Sequence, residues 1–302
     1  MSKLERWRQR HGAVALIVVG ALLTSTKGIL AKLLYRDGVG FESILLVRAW
    51  MSLPLVWGWG LYRVGLTSLL TGERRLIVGA MLAGLTSYYV GAWLDFAALT
   101  MIDASLERVL LFSYPVMVVA ARAVGQRQWP PAKVVAGVMA SYVGVAGAVG
   151  GFDRQLWNAN ALGATLVMAS AAGFAYYLIA NERVATVLGS VPFIVYATAA
   201  ATGALTLHCL IFDTGAITHL SPYAWSLIGG MTVVTNVLPL FLFSAGIRRI
   251  GAQRASIVST VGPPATLVMA WLLLDEVMHP IQIAGAVLII AGIVILERGR
   301  PA

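Results

Sequence analysis

The sequence predicts an all-α integral membrane protein. Ten transmembrane helices form two inverted five-helix repeats, with both termini in the cytoplasm. Three observations carry this. Hydrophobic residues make up 59% of the 302-residue chain and charged ones 12%, about half the charged share of a soluble domain. Mean hydropathy is +0.82, more apolar surface than a water-soluble core could bury. Finally, the chain repeats itself at an offset of 148 residues: Pro115 with Pro263, Ala136 with Ala284, Gly137 with Gly285, and Gly144 with Gly292. Ala97 with Ala245 and Ala104 with Ala252 keep the same offset upstream. A period this long makes the halves themselves the repeats, 1–150 and 151–302.

Ten apolar segments of roughly 20 residues follow in order, each able to cross a ~30 Å hydrocarbon core as a helix. They lie at 13–34, 42–61, 75–98, 104–124, 131–150, 160–180, 188–211, 222–245, 252–274 and 279–297. The first follows a basic stretch but lacks a small-residue cleavage pattern, so it reads as span 1 and not as a removed signal peptide. Loops are short, and Gly150-Gly151-Phe152-Asp153 joins the halves. With the N-terminus inside, sixteen Lys and Arg fall on the cytoplasmic side, whereas only Arg36 and Arg154 fall outside. That asymmetry sets the topology. Five spans per half is an odd number, so the second half enters the membrane from the opposite side, an arrangement suited to alternating access.

The net charge of +9 is a membrane-topology signal here and not a nucleic-acid footprint. The single cysteine, Cys209, sits in an apolar run and carries no redox argument. No metal-ligand cluster, phosphate-binding loop or nucleophile elbow is legible, and no loop could hold a nucleotide-driven motor. The chain reads as neither an enzyme nor an ATP-driven pump. Transport would then draw on an ion gradient, such as protons, or on the substrate's own gradient.

Polar residues inside spans locate the pathway, because lipid tolerates them poorly. Lys27 lies in the run Thr24-Ser25-Thr26-Lys27-Gly28, which suggests a wet cavity face or a structural ion pair. Lys32 is close enough to the outer end to snorkel. Arg48 fits a carboxylate pair or a site role equally. Glu107 and Arg108 open span 4 at the interface, and Asp95 is placed near the hydrated outer end of span 3. At 100° per residue, Tyr89, Trp93 and Phe96 share one face of span 3 and Tyr88 shares a second stripe with Asp95. An aromatic-lined cavity at Tyr88 and Tyr89 is one reading, the interfacial aromatic belt the plain alternative. Tyr177 and Asn181 share a face of span 6. Thr232, Thr235, Asn236 and Pro239 form a stripe in span 8, matched by Ser256, Ser259, Thr260, Pro263 and Pro264 in span 9. Single hydroxyls usually bond their own helix. Two stripes ending in proline suggest a cavity wall, with Pro239, Pro263 and Pro264 as hinges. Gly137 with Gly144, and Gly285 with Gly292, keep one face each and predict close helix packing. His208 and Trp271 have no visible partner and read as packing.

This arrangement resembles the drug/metabolite transporter superfamily in its EamA-type branch. The resemblance rests on Ser113-Tyr114-Pro115 with Gly137 and Gly144, on Val261-Gly262-Pro263 with Gly285 and Gly292, on Arg48, and on Glu276 after the fourth helix of the second half. The first half departs from the pattern there, with Gln126 and Arg127. The resemblance implies a carrier for small metabolites, commonly an exporter, with a cavity lined by helices 1–4 and 6–9 and with helices 5 and 10 peripheral. The aromatic content is similar to that of the aromatic amino acid exporters of the YddG type. The expectation is a bacterial inner-membrane carrier exporting amino acids or similar metabolites. Lys27, Tyr88, Tyr89, Trp93, Tyr177 and Asn236 would be its substrate contacts. Other drugs or metabolites as cargo, and a solute channel, are the alternatives.

Overall fold

The computed structural model describes residues 3–126, 132–212, 220–243, 258 and 261–298. All secondary structure among these residues is helical. Seven helices are long and apolar enough to cross a membrane: Gly12–Arg36, Phe41–Thr67, Arg74–Ala98, Ala104–Ala121, Arg154–Leu188, Ser190–Ile211 and Pro222–Phe243. Three shorter apolar helices, Val135–Val149, Gly262–Leu274 and Pro280–Ile295, stand where spans 5, 9 and 10 were expected. Ser256, Ser259 and Thr260 lie outside the described residues. Large apolar side chains such as Trp271, Leu272 and Leu273 face outward, as a lipid-facing surface requires.

The helices run α1 (Lys3–Ser25), α2 (Lys27–Arg36), α3 (Phe41–Leu70), α4 (Arg74–Gly84), α5 (Ala92–Ala98), α6 (Ala104–Leu111), α7 (Tyr114–Gln126) and α8 (Ala132–Val149). After the joint come α9 (Arg154–Leu188), α10 (Ser190–Ile211), α11 (Pro222–Met231), α12 (Gly262–Leu274) and α13 (Pro280–Arg298). Two helices outrun their expected bounds. The third continues to Leu70 past a non-helical Gly65 (φ 74°, ψ 163°). The ninth begins at Arg154 because Asp153 caps it, accepting from the backbone N–H of Gln155 and Leu156, an arrangement that satisfies two otherwise unpaired donors.

Several spans are broken, and the breaks keep the sequence offset. A π-helical segment, Leu85–Gly91, joins α4 to α5. A second, Thr232–Val237, continues α11. Tyr88 and Asn236 are 148 residues apart and lie one in each segment. The helices that carry Pro115 and Pro263 begin at Tyr114 and Gly262, again 148 apart. Span 1 has its own break at Thr26, where α1 ends and α2 begins. There Thr24 and Ser25 turn their hydroxyls back onto Ala21 O, and Thr26 bonds Leu23 O.

Glycines set the closest approaches. A Cβ on Gly144 would lie 2.7 Å from Gly285 O, and one on Gly285 would lie 2.3 Å from Ala148 N. One on Gly292 would lie 2.2 Å from Ser141 Oγ and 2.6 Å from Gly137 O. The stripes of α8 and α13 thus pack backbone to backbone on each other. A similar seam joins α4 to α10, where a Cβ on Gly84 would meet Ala197 O at 2.1 Å.

Candidate substrate cavity and buried ion cluster

The break at Thr26 places Lys27 at the start of α2, deep enough to meet two other spans. Its Nζ lies 2.5 Å from Asp95 Oδ2 and 3.1 Å from Glu107 Oε1. The side chains of Lys27, Asp95 and Glu107 are 15%, 6% and 1% exposed. Gly28 permits this, because a Cβ there would touch Ala104 Cβ at 3.0 Å and Glu107 Oε2 at 3.4 Å. Arg108 is buried beside the triad, donates to Thr24 Oγ1 at 2.9 Å and lies over the Phe112 ring. The second half also reaches this point: Ser25 donates to Gly262 O and Thr266 to Ser25 O, at 3.0 and 3.2 Å. Asp95 and Glu107 were expected at hydrated or interfacial depth. The structure buries both instead, because adjacent spans supply an ammonium between them.

Toward the end of the bundle formed by the 37–40, 99–103 and 275–279 loops, the predicted outer face, lies a vestibule of about 550 Å³. Lys32, Arg36, Asp103 and Glu276 are among its lining residues. Lys32 thus lines the mouth at this end of the bundle. Glu276 grips the start of α6, accepting from Ala104 N, Ser105 N and Ser105 Oγ at 2.9, 3.0 and 2.7 Å. The carboxylate therefore sits at the positive end of the helix dipole. Arg36 Nη2 donates to Leu274 O at 2.9 Å. Asp103 is exposed at the residue level, yet desolvation raises its carboxyl above the ordinary range. The nearby Glu276 adds to the rise and Lys32 opposes it.

Beneath the vestibule, Tyr35 donates to Phe96 O at 2.8 Å. The buried Phe96 ring carries the Arg48 guanidinium 4.7 Å from its centroid on one side of this plug. Arg48 opens onto a central cavity of about 50 Å³ that it shares with Ser52, Tyr88, Thr198, Thr202 and Asn236. Arg48, Ser52 and Val56 are spaced by four along α3 and form one face of it. The volume is well below the roughly 300–1,000 Å³ of a small-molecule site. The structure is therefore contracted around this centre.

The structure brings together Tyr88, Tyr177 and Asn236. Tyr88 donates to Tyr177 Oη at 2.9 Å with ring centroids 5.0 Å apart. Tyr177 stacks on Phe174 and abuts Phe193, behind the cavity wall. Tyr89 and Trp93 form a separate group. Tyr89 Oη lies 2.9 Å from His208 Nδ1, and Trp93 packs edge-on against Phe41. His208, read as packing, thus has a polar partner that no local sequence signal marks. Thr232 and Thr235 are buried and bond their own helix at Ile228 O and Met231 O. Of that stripe only Asn236 lines the cavity. Pro239 follows the π segment inside the span Pro222–Phe243. Pro263 and Pro264 sit in the first turn of α12, where a missing N–H leaves no bond broken. No group of three or more His, Cys, Asp or Glu is placed to hold a metal ion among the described residues.

Comparison with known proteins adds three findings. The EamA-like transporter family matches residues 161–298. The chain is 30% identical over 283 residues to the uncharacterized transporter YcbK of Bacillus subtilis, covering 92% of this chain and 90% of that one. A solved crystal structure superposes with a TM-score of 0.64 at 17% sequence identity, covering 97% of this chain and all of the other. At that identity it speaks to fold alone.

Proposed function

The chain belongs to the EamA-like transporter family of the drug/metabolite transporter superfamily, and from that premise we propose that it carries amino acids or similar small metabolites out of the cell by alternating access. The observation that carries this reading is the central cavity between Tyr88 and Asn236. Two positions one repeat apart, each in a π-helical segment, line the same space. Extra residues in a helix turn are frequent at functional sites, because they redirect side chains and weaken the local backbone ladder. The cavity, at about 50 Å³, is far below the roughly 300–1,000 Å³ of a small-molecule site. Such a contracted centre favours a carrier that opens by rearrangement over a standing pore. In this reading residues 1–150 and 151–302 are inverted halves, the vestibule faces outward, and the membrane is a bacterial inner membrane.

Tyr88 and Asn236 contact the substrate. Tyr177 holds the Tyr88 ring in place. Thr198 and Thr202 donate their hydroxyl protons to Ile194 O and Thr198 O, which leaves oxygen lone pairs as acceptors for an ammonium. Aromatic faces attract the same group. Lys27, Tyr89 and Trp93 brace the site from the vestibule side and from α10. Pro239 gives span 8 a place to bend. Pro263 and Pro264 start α12 at its bonded contact with Ser25 of span 1, across which α12 would pivot.

The test is uptake and counterflow in proteoliposomes across amino acids, sugars and cationic drugs, with and without a pH gradient. Saturable flux with counterflow is expected for one class, and Tyr88→Ala or Asn236→Ala lowers it while folded protein is retained. The reading fails if no solute moves, and linear flux without counterflow makes the protein a channel.

A further inference from the structure

We infer that Arg48 is the anchor for a substrate carboxylate, so that the cargo of the central cavity is anionic at one end. This inference rests on the carrier reading above and names the class of solute it takes. The charge inside the spans does not balance. Among the described residues, three cations lie well inside the spans: Lys27, Arg48 and Arg108. Two carboxylates, Asp95 and Glu107, lie among them. Lys27 is held between both carboxylates, and Arg108 adjoins Glu107 in sequence and donates to Thr24. No hydrogen bond or ion pair holds the Arg48 guanidinium among the described residues. Asp95 and Tyr35 act on it electrostatically, but Asp95 is paired with Lys27, and the Phe96 ring under the guanidinium stabilises a cation without neutralising it.

An uncompensated guanidinium at this depth is expensive, and spans keep such groups where water or a ligand meets them. Arg48 meets the cavity that Tyr88 and Asn236 line. Its planar fork matches a carboxylate in two parallel hydrogen bonds. One positive charge balances one negative charge, which selects a carboxylate monoanion over a phosphate dianion. Lys27, the cation named from the sequence as a substrate contact, already has two resident carboxylates. The same cavity is lined by the Thr198 and Thr202 oxygens and by Tyr88, which suit a cationic or apolar end of the same solute.

The test uses the full chain in detergent. Thermal unfolding is followed with the twenty L-amino acids, benzoate, lactate, phenylalaninamide, leucinamide, phenethylamine and phenyl phosphate at matched ionic strength. At least one carboxylate raises the melting temperature, and its amide or amine counterpart does not. Arg48→Gln shifts the half-saturating concentration of that carboxylate up by at least about ten-fold, and Arg48→Lys by less. In proteoliposomes the same variant raises KM with a smaller change in kcat. The inference is overturned if no carboxylate shifts the wild type, if amides act equally, if Arg48→Gln responds as the wild type does, or if only phenyl phosphate acts. Should Arg48→Gln not yield folded protein, the wild-type comparison of each acid with its amide decides. Carboxylate-dependent stabilisation without flux would leave the anchor standing and remove the carrier. Flux indifferent to the carboxylate would do the reverse.

Discussion

Replacing Lys27 by methionine keeps the length of the side chain and removes its ammonium. The triad then holds Asp95 and Glu107 with no cation between them, at 6% and 1% exposure. Each carboxylate already has one oxygen, Asp95 Oδ1 and Glu107 Oε2, without a hydrogen-bond partner. Water cannot readily rescue them. Removing one member of a buried ion pair leaves uncompensated charge and costs about 3–5 kcal/mol. At roughly 2 °C per kcal/mol for a large domain, that is a fall in melting temperature of roughly 6–10 °C. Fluorescence-detected size exclusion after heating reads this directly on detergent extracts. The double variant Lys27→Met with Glu107→Gln leaves one carboxylate uncompensated in place of two, and recovers part of the loss. If Lys27→Met melts with the wild type, the cluster is not structural and the ammonium belongs to the transport cycle alone. If the double variant is worse than the single one, the coupling between the two residues is not the one described.

Gly285→Leu drives a side chain into Ala148 N and Gly144 O, which already lie 2.3 and 2.5 Å from an ideal Cβ. Over-packing typically costs about 1–3 kcal/mol, and backbone neighbours leave little room to relax, so the yield of monodisperse protein falls sharply. An unchanged yield refutes the seam. Glu276→Gln removes a charge-assisted clamp of about 1.5–3 kcal/mol from the start of α6. On a Cys209→Ser, Ser52→Cys background it makes the central cavity roughly ten-fold more reactive to an impermeant thiol reagent added outside, and equal labelling rates refute the clamp. Asp103→Asn probes pH. The Asp103 carboxyl is raised in the folded protein, so its ionised form opposes folding. The stability it allows is present below the ordinary carboxylate range and is lost as pH rises through the raised value. The asparagine variant therefore melts higher than the wild type at neutral pH, and the gap closes below about pH 4. A gap that widens on acidification reverses the assignment.

Hydropathy located the spans because burial in lipid is a property of composition averaged over a helix. The glycine stripes were equally legible, since seven-residue spacing fixes a face whatever the partner. The partner itself was not, and α8 meets α13 only through the tertiary arrangement. The π segments escaped for a different reason. Their extra residue is a backbone event, and wheel geometry drawn at 100° per residue through Leu85–Gly91 loses its phase there. Tyr89, Trp93 and Phe96 share one apolar cluster, as that geometry groups them, but within it Tyr89 and Trp93 reach His208 of α10, while Phe96 lies under Arg48. The ion cluster was hidden because its members come from spans 1, 3 and 4. Lys27 reads as a cavity or ion-pair residue on its own, but Asp95 and Glu107 each have a plain hydrated or interfacial reading. Only their adjacency buries them.

The glycine seam between α8 and α13 also sets a timetable. Gly144 and Gly285 are 141 residues apart in the chain, so at about 5–20 residues per second the first waits roughly 7–30 s for the second during synthesis. Throughout that interval the flat face of α8 is filled by acyl chains. No hydrophobic gain drives their exchange for a helix. What drives it is the closer van der Waals fit of backbone on backbone. The nascent first half is therefore a lipid-solvated intermediate until α13 arrives.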